Sequence, residues 1–379
     1  VNDQPRFPYR GMMLDCSRHF FTPQFIKKQL DAMAYFKLNR FHWHLTDGGG
    51  WRLEVKKYPK LIEETAYRTQ NDWTKWWREH DRRYCHANDS GAYGGYYTQD
   101  EVRDIVAYAA KRHITVIPEI EMPGHSNEVF AAYPNLTCEG KAYTSPDFCP
   151  GNDSVFTFLE GVLTEVMQLF PSQYIHIGGD EAWQEKWKTC PKCQKRMKDE
   201  GLKDTHELQA YFIMRIEKFL NAHGRKLLGW DEIMQGRLAP NAAVMSWTGE
   251  EAGLKAAKAG HHVVMTPGAY CYLDMYQDVP FTQPKAMGGY VPLEKVYSYE
   301  PITHKESADM LEKYIDGVQG NLWTEEVPTP EHAEYMLYPR LLGIAEVGWT
   351  RNRPSYENFR NRAIQALDRM KAMGYNHFD

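Results

Sequence analysis

The chain has 379 residues, with 45 basic and 50 acidic side chains and a net charge of −5 when histidine is neutral. That length fits two or three domains or one large α/β barrel, and a core of this size needs no cross-links to hold it. The mild negative charge offers no field for a polyanion and argues against nucleic acid; 25% charged residues and no long apolar run exclude membrane-spanning, collagenous and disordered classes.

In chain order, short apolar runs alternate with amphipathic stretches. Strand-like runs occupy residues 11–18, 40–47, 114–122, 174–181, 226–232, 242–248, 262–267 and 318–325. Between them, Thr22 and Pro23 stand in N-cap then N1 order before the apolar spacing of Phe25, Leu30, Met33 and Phe36. Thr98 opens a second helical pattern through Val102, Ile105, Val106 and Ala109; further ones cover 205–223, 250–259, 303–314 and 354–373. Eight strands alternating with helices predict a (β/α)8 TIM barrel. Only residues 233–241 separate the fifth and sixth strands, too few for an ordinary crossover helix, so this unit is expected to be irregular. Residues 48–97 are rich in Trp, Arg, Gly and Tyr and read as a wall of a binding site. No Pro- or Ser-rich linker interrupts the chain, and residues 1–379 read as one domain.

Barrels of this kind build their sites at the carboxyl ends of the strands. There the sequence places Asp15 and Arg18, His44 and Asp47, Glu119 to His125, Gly178-Gly-Asp180-Glu181, Trp230-Asp231-Glu232, Trp247, Tyr272 and Asp274, and Trp323 with Glu325. Carboxylates and indoles on one rim suit a pyranose, because indoles cover C–H faces while carboxylates take hydroxyls. The 11 Trp, 24 Tyr and 16 Phe residues supply the material, although most aromatic residues serve a core. Asp180 and Glu181 follow two glycines that let the chain turn and a ligand approach. Two acids in one low-dielectric pocket cannot both ionise freely, so one pKa is expected to rise, as protonating a glycosidic oxygen requires.

His42 and His44 share one face of a strand at a metal-ligand spacing, which opens a rival reading as a metal-dependent hydrolase. That reading wants more histidines at later strand ends, where Trp230, Asp231 and Trp247 stand instead. The simpler reading hydrogen-bonds both rings inside the barrel, and His19 and His176 read the same way.

The seven cysteines include Cys190 and Cys193 at CxxC spacing, but no second such pair or histidine pair completes a zinc set along the sequence. Cys138 and Cys149 bracket a loop of small and polar residues. The reading is two short-range disulfides in an oxidising compartment, with Cys16, Cys85 and Cys271 as buried thiols. The chain opens on Val1-Asn2-Asp3 with no leader, as a mature or trimmed form would.

At these rims the sequence resembles the family-20 glycoside hydrolases, the β-N-acetylhexosaminidases. The resemblance rests on Gly11-Met-Met-Leu-Asp-Cys-Ser-Arg-His-Phe20, Phe41-His-Trp-His-Leu-Thr-Asp47, Pro118-Glu-Ile-Glu-Met-Pro-Gly-His-Ser126, His176-Ile-Gly-Gly-Asp-Glu-Ala-Trp183 and Asn321-Leu-Trp-Thr-Glu325. It implies exo-acting removal of terminal β-linked GlcNAc or GalNAc from glycans by a substrate-assisted retaining route, one of the exceptions to the two-carboxylate scheme. In that route the sugar's own acetamido oxygen attacks C1 to give an oxazolinium intermediate. By resemblance, Glu181 is the general acid, Asp180 orients the acetamido group, and Tyr272 donates to its oxygen. Arg18 grips the C3 and C4 hydroxyls, and Asp274 and Glu325 those at C4 and C6. Trp230, Trp247 and Trp323 line the ring, and Asp47 with His125 orients Glu181. No metal or organic cofactor is implied.

Two departures stand out. Gly48-Gly49-Gly50 replaces the Asp-Gln that many relatives carry after the second-rim aspartate, and the small α+β domain that commonly precedes the barrel is absent or removed. A sugar-binding barrel without turnover is the reading outside enzymes. A bacterial periplasmic, envelope or secreted location is expected, with a lysosomal or extracellular one as the alternative.

Overall fold

The structure, a computed structural model, describes residues 3–79 and 81–379. Val1 and Asn2, on which the reading of a mature terminus falls, lie outside the described residues. Eight parallel strands close a barrel: β1 (Tyr9–Asp15), β2 (Arg40–His44), β3 (Thr115–Met122), β4 (Tyr174–Gly178), β5 (Lys226–Trp230), β6 (Ala243–Ser246), β7 (Val263–Met265) and β8 (Ile315–Leu322), with β8 pairing back onto β1. The predicted (β/α)8 TIM barrel is therefore the observed one.

Most predicted strands run on past the ladder at their carboxyl ends, and the rim chemistry explains it. Asp15 turns its carboxylate back to accept from the amides of Ser17 and Arg18 at 2.9 and 3.1 Å, which bends β1 out of the sheet. His176 Nδ1 accepts from the Gly178 amide at 3.0 Å, and Gly178 and Gly179 then take left-handed φ values of 72° and 89°. At Gly178 any Cβ would meet the Glu121 carboxylate, so the turn depends on glycine.

Around the barrel lie α1 (Pro23–Tyr35), α2 (Gln99–Ala110), α3 (Asp153–Leu169), α4 (Pro191–Asp199), α5 (Thr205–Ala222), α6 (Glu251–Lys258), α7 (Ala308–Tyr314), α8 (Arg340–Trp349) and α9 (Tyr356–Ala372). Thr22 caps α1 by accepting from the Phe25 amide, and Thr98 forms a reciprocal capping box with Glu101 at α2. The fifth unit is irregular as expected, with only a short 3-10 turn at Asp231–Met234 before β6. Apolar side chains form two layers: an outer core between strands and helices, and a small inner plug of Tyr9, Ile117, Leu228, Ala243, Met245 and Val264 closed on the rim side by Trp230. The plug gives the site a floor. No helix among the described residues is long and apolar enough to cross a membrane.

The cysteines correct the sequence reading. No disulfide joins the described residues, and Cys85 is half-buried rather than buried, whereas Cys16 and Cys271 are buried thiols. Cys138, Cys149, Cys190 and Cys193 converge in space: the sulfurs of Cys138 and Cys193 lie 3.7 Å apart, Cys149 and Cys190 3.7 Å, and Cys149 and Cys193 3.6 Å. A disulfide needs about 2.05 Å. The second cysteine pair missing along the sequence is supplied by the fold.

Candidate active site

All eleven residues singled out from the sequence line one cavity of about 240 Å³ at the carboxyl ends of the strands. They are Arg18, Asp47, His125, Asp180, Glu181, Trp230, Trp247, Tyr272, Asp274, Trp323 and Glu325, joined by Met275 and Met287, which the sequence reading missed. The two methionines lie on the irregular segment after β7, where no periodicity marks them.

Trp230 forms the floor and donates its indole N–H to Glu119 Oε1 at 2.8 Å. Trp247 donates to Glu232 Oε2 at 2.8 Å and stacks on Tyr272 at 5.9 Å and 9°. Trp323 stands edge-on to His44, with ring centroids 4.9 Å apart, and Arg18 lies over it at 5.3 Å. Each indole thus has a fixed orientation before any ligand arrives. The loop bearing Tyr272 and Asp274 is pinned from behind by Arg340, whose guanidinium donates to the carbonyls of Leu273, Met275 and Val291.

Arg18 is buried among three carboxylates: Asp15 at 3.1 Å, Asp47 at 3.1 Å and Glu325 at 3.4 Å. Burial disfavours its charge, but Asp47, Glu325 and Asp15 outweigh that and hold its pKa well above the usual value. Across the cavity, burial and then the nearby Glu325 charge push the Asp274 carboxyl well above the ordinary range. Burial likewise raises Glu325, against the opposing pull of Arg18.

Behind the acidic pair runs an alternation of carboxylates and imidazoles. Glu119 Oε2 lies 2.6 Å from both His42 Nε2 and His44 Nδ1. His44 Nε2 reaches Asp47 Oδ2 at 2.9 Å, and Asp47 Oδ1 lies 3.2 Å from His125 Nδ1. His125 Nε2 then faces Asp180 Oδ2 at 3.4 Å and Glu181 Oε1 at 3.5 Å. Burial works against a charge on His44, yet Glu119 and Asp47 raise its pKa to about 10. Gln319 donates to His42 Nδ1 at 3.0 Å, so the neutral His42 ring carries its hydrogen on Nε2 and donates it in a hydrogen bond to Glu119, in keeping with the lowering of its pKa by burial. His44, protonated between two acids, offers no lone pair to a metal. The barrel-interior reading of both histidines holds. His19 is likewise occupied, by the carbonyls of Thr324 and Asn71, whereas His176 accepts from the Gly178 amide at Nδ1 and keeps a buried Nε2 without a partner in the protein.

The sequence reading gave roles to Asp47 and His125 but placed Glu119 and Glu121 on the rim without one. Their signal was present: two acids at i and i+2 on β3 must share the interior face of the barrel. Glu121 is buried with both oxygens unpartnered, and burial, then Asp180 and Glu119, raise its pKa well above the usual value.

The expected rise at Glu181 is overturned. Its carboxyl is held below the ordinary value, first by hydrogen bonding to His125 and against a smaller opposing effect of burial. The cause is the imidazolium wedged beside both acids: burial disfavours the charge on His125, but Asp47 and Asp180 raise its pKa well above normal. Glu181 also stands at the mouth with 62% of its side chain exposed, so desolvation is weak. The backbones of His125 (φ 50°) and Glu181 (φ 45°) are left-handed, a strain of about 1–2 kcal/mol each that the surrounding loops hold in place.

The long segment 48–97 lies beside the rim but contributes no residue to the lining of the cavity, so it backs the Arg18 side of the site rather than forming its wall. It carries a three-stranded sheet formed by Tyr67–Arg68, Tyr84–Cys85 and Tyr93–Gly94, and its Trp73 ring lies 5.7 Å from the Arg18 guanidinium carbon. A Cβ at Gly49 would come within 2.7 Å of the Ser17 carbonyl oxygen and 2.8 Å of the Arg18 Cα. The glycine run therefore lets the second rim loop lie directly on the backbone that carries Arg18.

Acids and indoles gathered around a sugar-sized hollow at the strand ends of a (β/α)8 barrel make a site of the kind that takes a pyranose. Residues 7–352 match the catalytic domain of glycosyl hydrolase family 20, and the chain belongs to that family. It is 49% identical over 387 residues to a beta-hexosaminidase of Porphyromonas gingivalis, with all of this chain and 48% of that protein covered. A beta-hexosaminidase of Vibrio furnissii is 39% identical, covering 92% of this chain and 57% of that protein. The crystal structure of a family-20 exo beta-N-acetylglucosaminidase from Vibrio harveyi in complex with N-acetylglucosamine superposes with a TM-score of 0.89 at 37% identity, covering 100% of this chain and 60% of that one. The chain thus spans about half the length of the curated relatives it matches.

Proposed function

We propose that the chain is an exo-acting β-N-acetylhexosaminidase that releases terminal β-linked GlcNAc or GalNAc from glycans. The observation that carries this reading is a set of unpartnered polar atoms around one floored cavity. Arg18 Nε, Asp180 Oδ1, Asp274 Oδ1 and Glu325 Oε2 are buried without a hydrogen-bond partner in the protein. Each such atom costs about 1–3 kcal/mol unless something satisfies it, and the hydroxyls and amide of one N-acetylhexosamine would do so. The floor at Trp230 stops a chain from threading through, which favours a terminal sugar. The names of the relatives support the same substrate class.

In the proposed mechanism Asp180 accepts the acetamido N–H and Tyr272 donates to the acetamido oxygen, aiming that oxygen at C1. Glu181, exposed at the mouth where a leaving group would sit, protonates the glycosidic oxygen. The acetamido oxygen closes on C1 as the bond from C1 to the protonated glycosidic oxygen breaks and the aglycone leaves as an alcohol, giving an oxazolinium whose positive charge Asp180 balances; attack of water on C1 in a second step then restores the original configuration. Glu181, now a carboxylate, then takes a proton from the water that opens the ring. An intramolecular nucleophile already held in line removes much of the entropic barrier. Trp230, Trp247 and Trp323 wall the ring, while Arg18, Asp274 and Glu325 hold its hydroxyls.

A panel of aryl β-GlcNAc, β-GalNAc and plain β-glucosides tests the reading. Release from the two acetamido sugars and little from the glucoside is expected. Comparable release from all three would mean the acetamido group takes no part, and GlcNAc binding without any release would make the barrel a lectin-like module.

A further inference from the structure

Four cysteines that the proposed reaction does not use meet behind the active-site loops. Cys138 and Cys149 come from the loop after β3; Cys190 and Cys193 come from the loop after β4 and the start of α4. Their sulfurs all lie within 4.8 Å of one another, with three of the pairs at 3.6–3.7 Å. Four thiolates around a tetrahedral ion at a metal–sulfur distance of about 2.3 Å are separated by about 3.8 Å. The observed spacings match the edges of that tetrahedron and are nearly twice a disulfide.

We propose that Cys138, Cys149, Cys190 and Cys193 form a structural site for one thiophilic divalent ion, zinc foremost. On binding, the four thiols release their protons to solvent and the sulfurs close the coordination shell, leaving no open position for chemistry. The surroundings are those of a thiolate centre. Cys190 is the N-cap of α4, Pro191 starts the helix and Cys193 lies in its first turn, so the positive end of the helix faces two of the sulfurs. Cys149, Cys190 and Cys193 are buried, Cys138 partly so. At Gly151 any Cβ would strike the backbone of Lys192 and Cys193, so the two segments are packed as tightly as a shared ion requires.

The location gives the site its purpose. Asp147, two residues before Cys149, accepts from the amides of Trp183 and Gln184 at 3.2 and 2.7 Å, immediately beyond Glu181. Trp187 donates to the Phe148 carbonyl at 3.0 Å. The ion would therefore staple the loop that carries His125 to the loop that carries Asp180 and Glu181.

The test begins with the unmodified chain, purified without chelator and analysed for metals by mass spectrometry. Close to one zinc per chain is expected, released by a mercurial thiol reagent, with a fall in unfolding temperature once it is gone. Reconstitution with cobalt(II) should give the intense visible bands of a tetrahedral thiolate site. Cys149→Ser and Cys193→Ser should lose the ion, and Cys85→Ser should keep it. A reduced chain that takes up neither zinc nor cobalt overturns the proposal, as does a native mass lighter by the hydrogens of two disulfides. The measurements on the unmodified chain decide the matter even if the serine variants do not fold.

Discussion

His125 Nε2 lies 3.5 Å from Glu181 Oε1, and both residues hold a left-handed backbone to make that approach. The charge on His125 explains why Glu181 sits below the ordinary carboxylate value rather than above it. An acid must carry its proton to work, so kcat/KM for glycosides with poor leaving groups should decline by about tenfold per pH unit above the ordinary carboxylate range. His125→Asn removes the cation and should move this basic limb to higher pH while lowering the rate at the optimum. A limb that stays in place would show that His125 does not set the proton affinity of Glu181.

Glu181→Gln and Asp180→Asn should separate by leaving group. Glu181→Gln removes proton donation, which is worth about 10²–10⁴ in rate, but activated aryl glycosides need little of it and should lose far less. Asp180→Asn disturbs the nucleophile itself and should slow both substrate types alike. Steady-state kinetics on nitrophenyl and methyl β-GlcNAc distinguish the two patterns. Near-normal turnover in both variants would undo the assignment of roles.

The barrel and its rim were legible because strand ends carry chemistry: Asp15, Asp47, Asp180, Asp274 and Glu325 are costly to bury and stand where apolar runs stop. What escaped notice has physical causes. Helix α8 (RLLGIAEVGW) is buried on nearly every side, so it shows no single apolar stripe. The four-cysteine cluster is assembled from segments 41–55 residues apart, a meeting no local spacing reveals. The lowering of the Glu181 pKa comes from an imidazolium contributed by another strand end, whereas adjacent acids in the sequence suggest only mutual repulsion.

Arg18 is the charge centre on which the hydroxyl-binding end of the cavity depends. Arg18→Met keeps the bulk but leaves Asp15, Asp47 and Glu325 facing one another in a buried space. Removing one partner from such a buried cluster costs about 3–5 kcal/mol. Denaturant unfolding should show a loss of this size, larger at pH 8 than at pH 4, where the acids can take protons. The variant should also raise KM more than it lowers kcat, because the lost contacts are to the ring hydroxyls and not to the reacting atoms. An unaltered unfolding midpoint would mean that the three acids are already neutral in the native chain.

His44 ties the relay to stability. In the unfolded chain its pKa is about 6.5, and in the folded chain it is raised to about 10, the carboxylates of Glu119 and Asp47 outweighing its burial. A raised histidine contributes stability in full below the unfolded value, and that contribution is lost as pH climbs through the folded value. Over such an interval it is worth on the order of 4–5 kcal/mol. His44→Gln cannot carry the charge, so its deficit against the parent should be largest near pH 6 and should shrink steadily toward pH 10. Equilibrium unfolding of both chains across that range measures the difference directly. A deficit that does not change with pH would show that His44 is neutral when folded, and that Asp47 reaches His125 without a cation behind it.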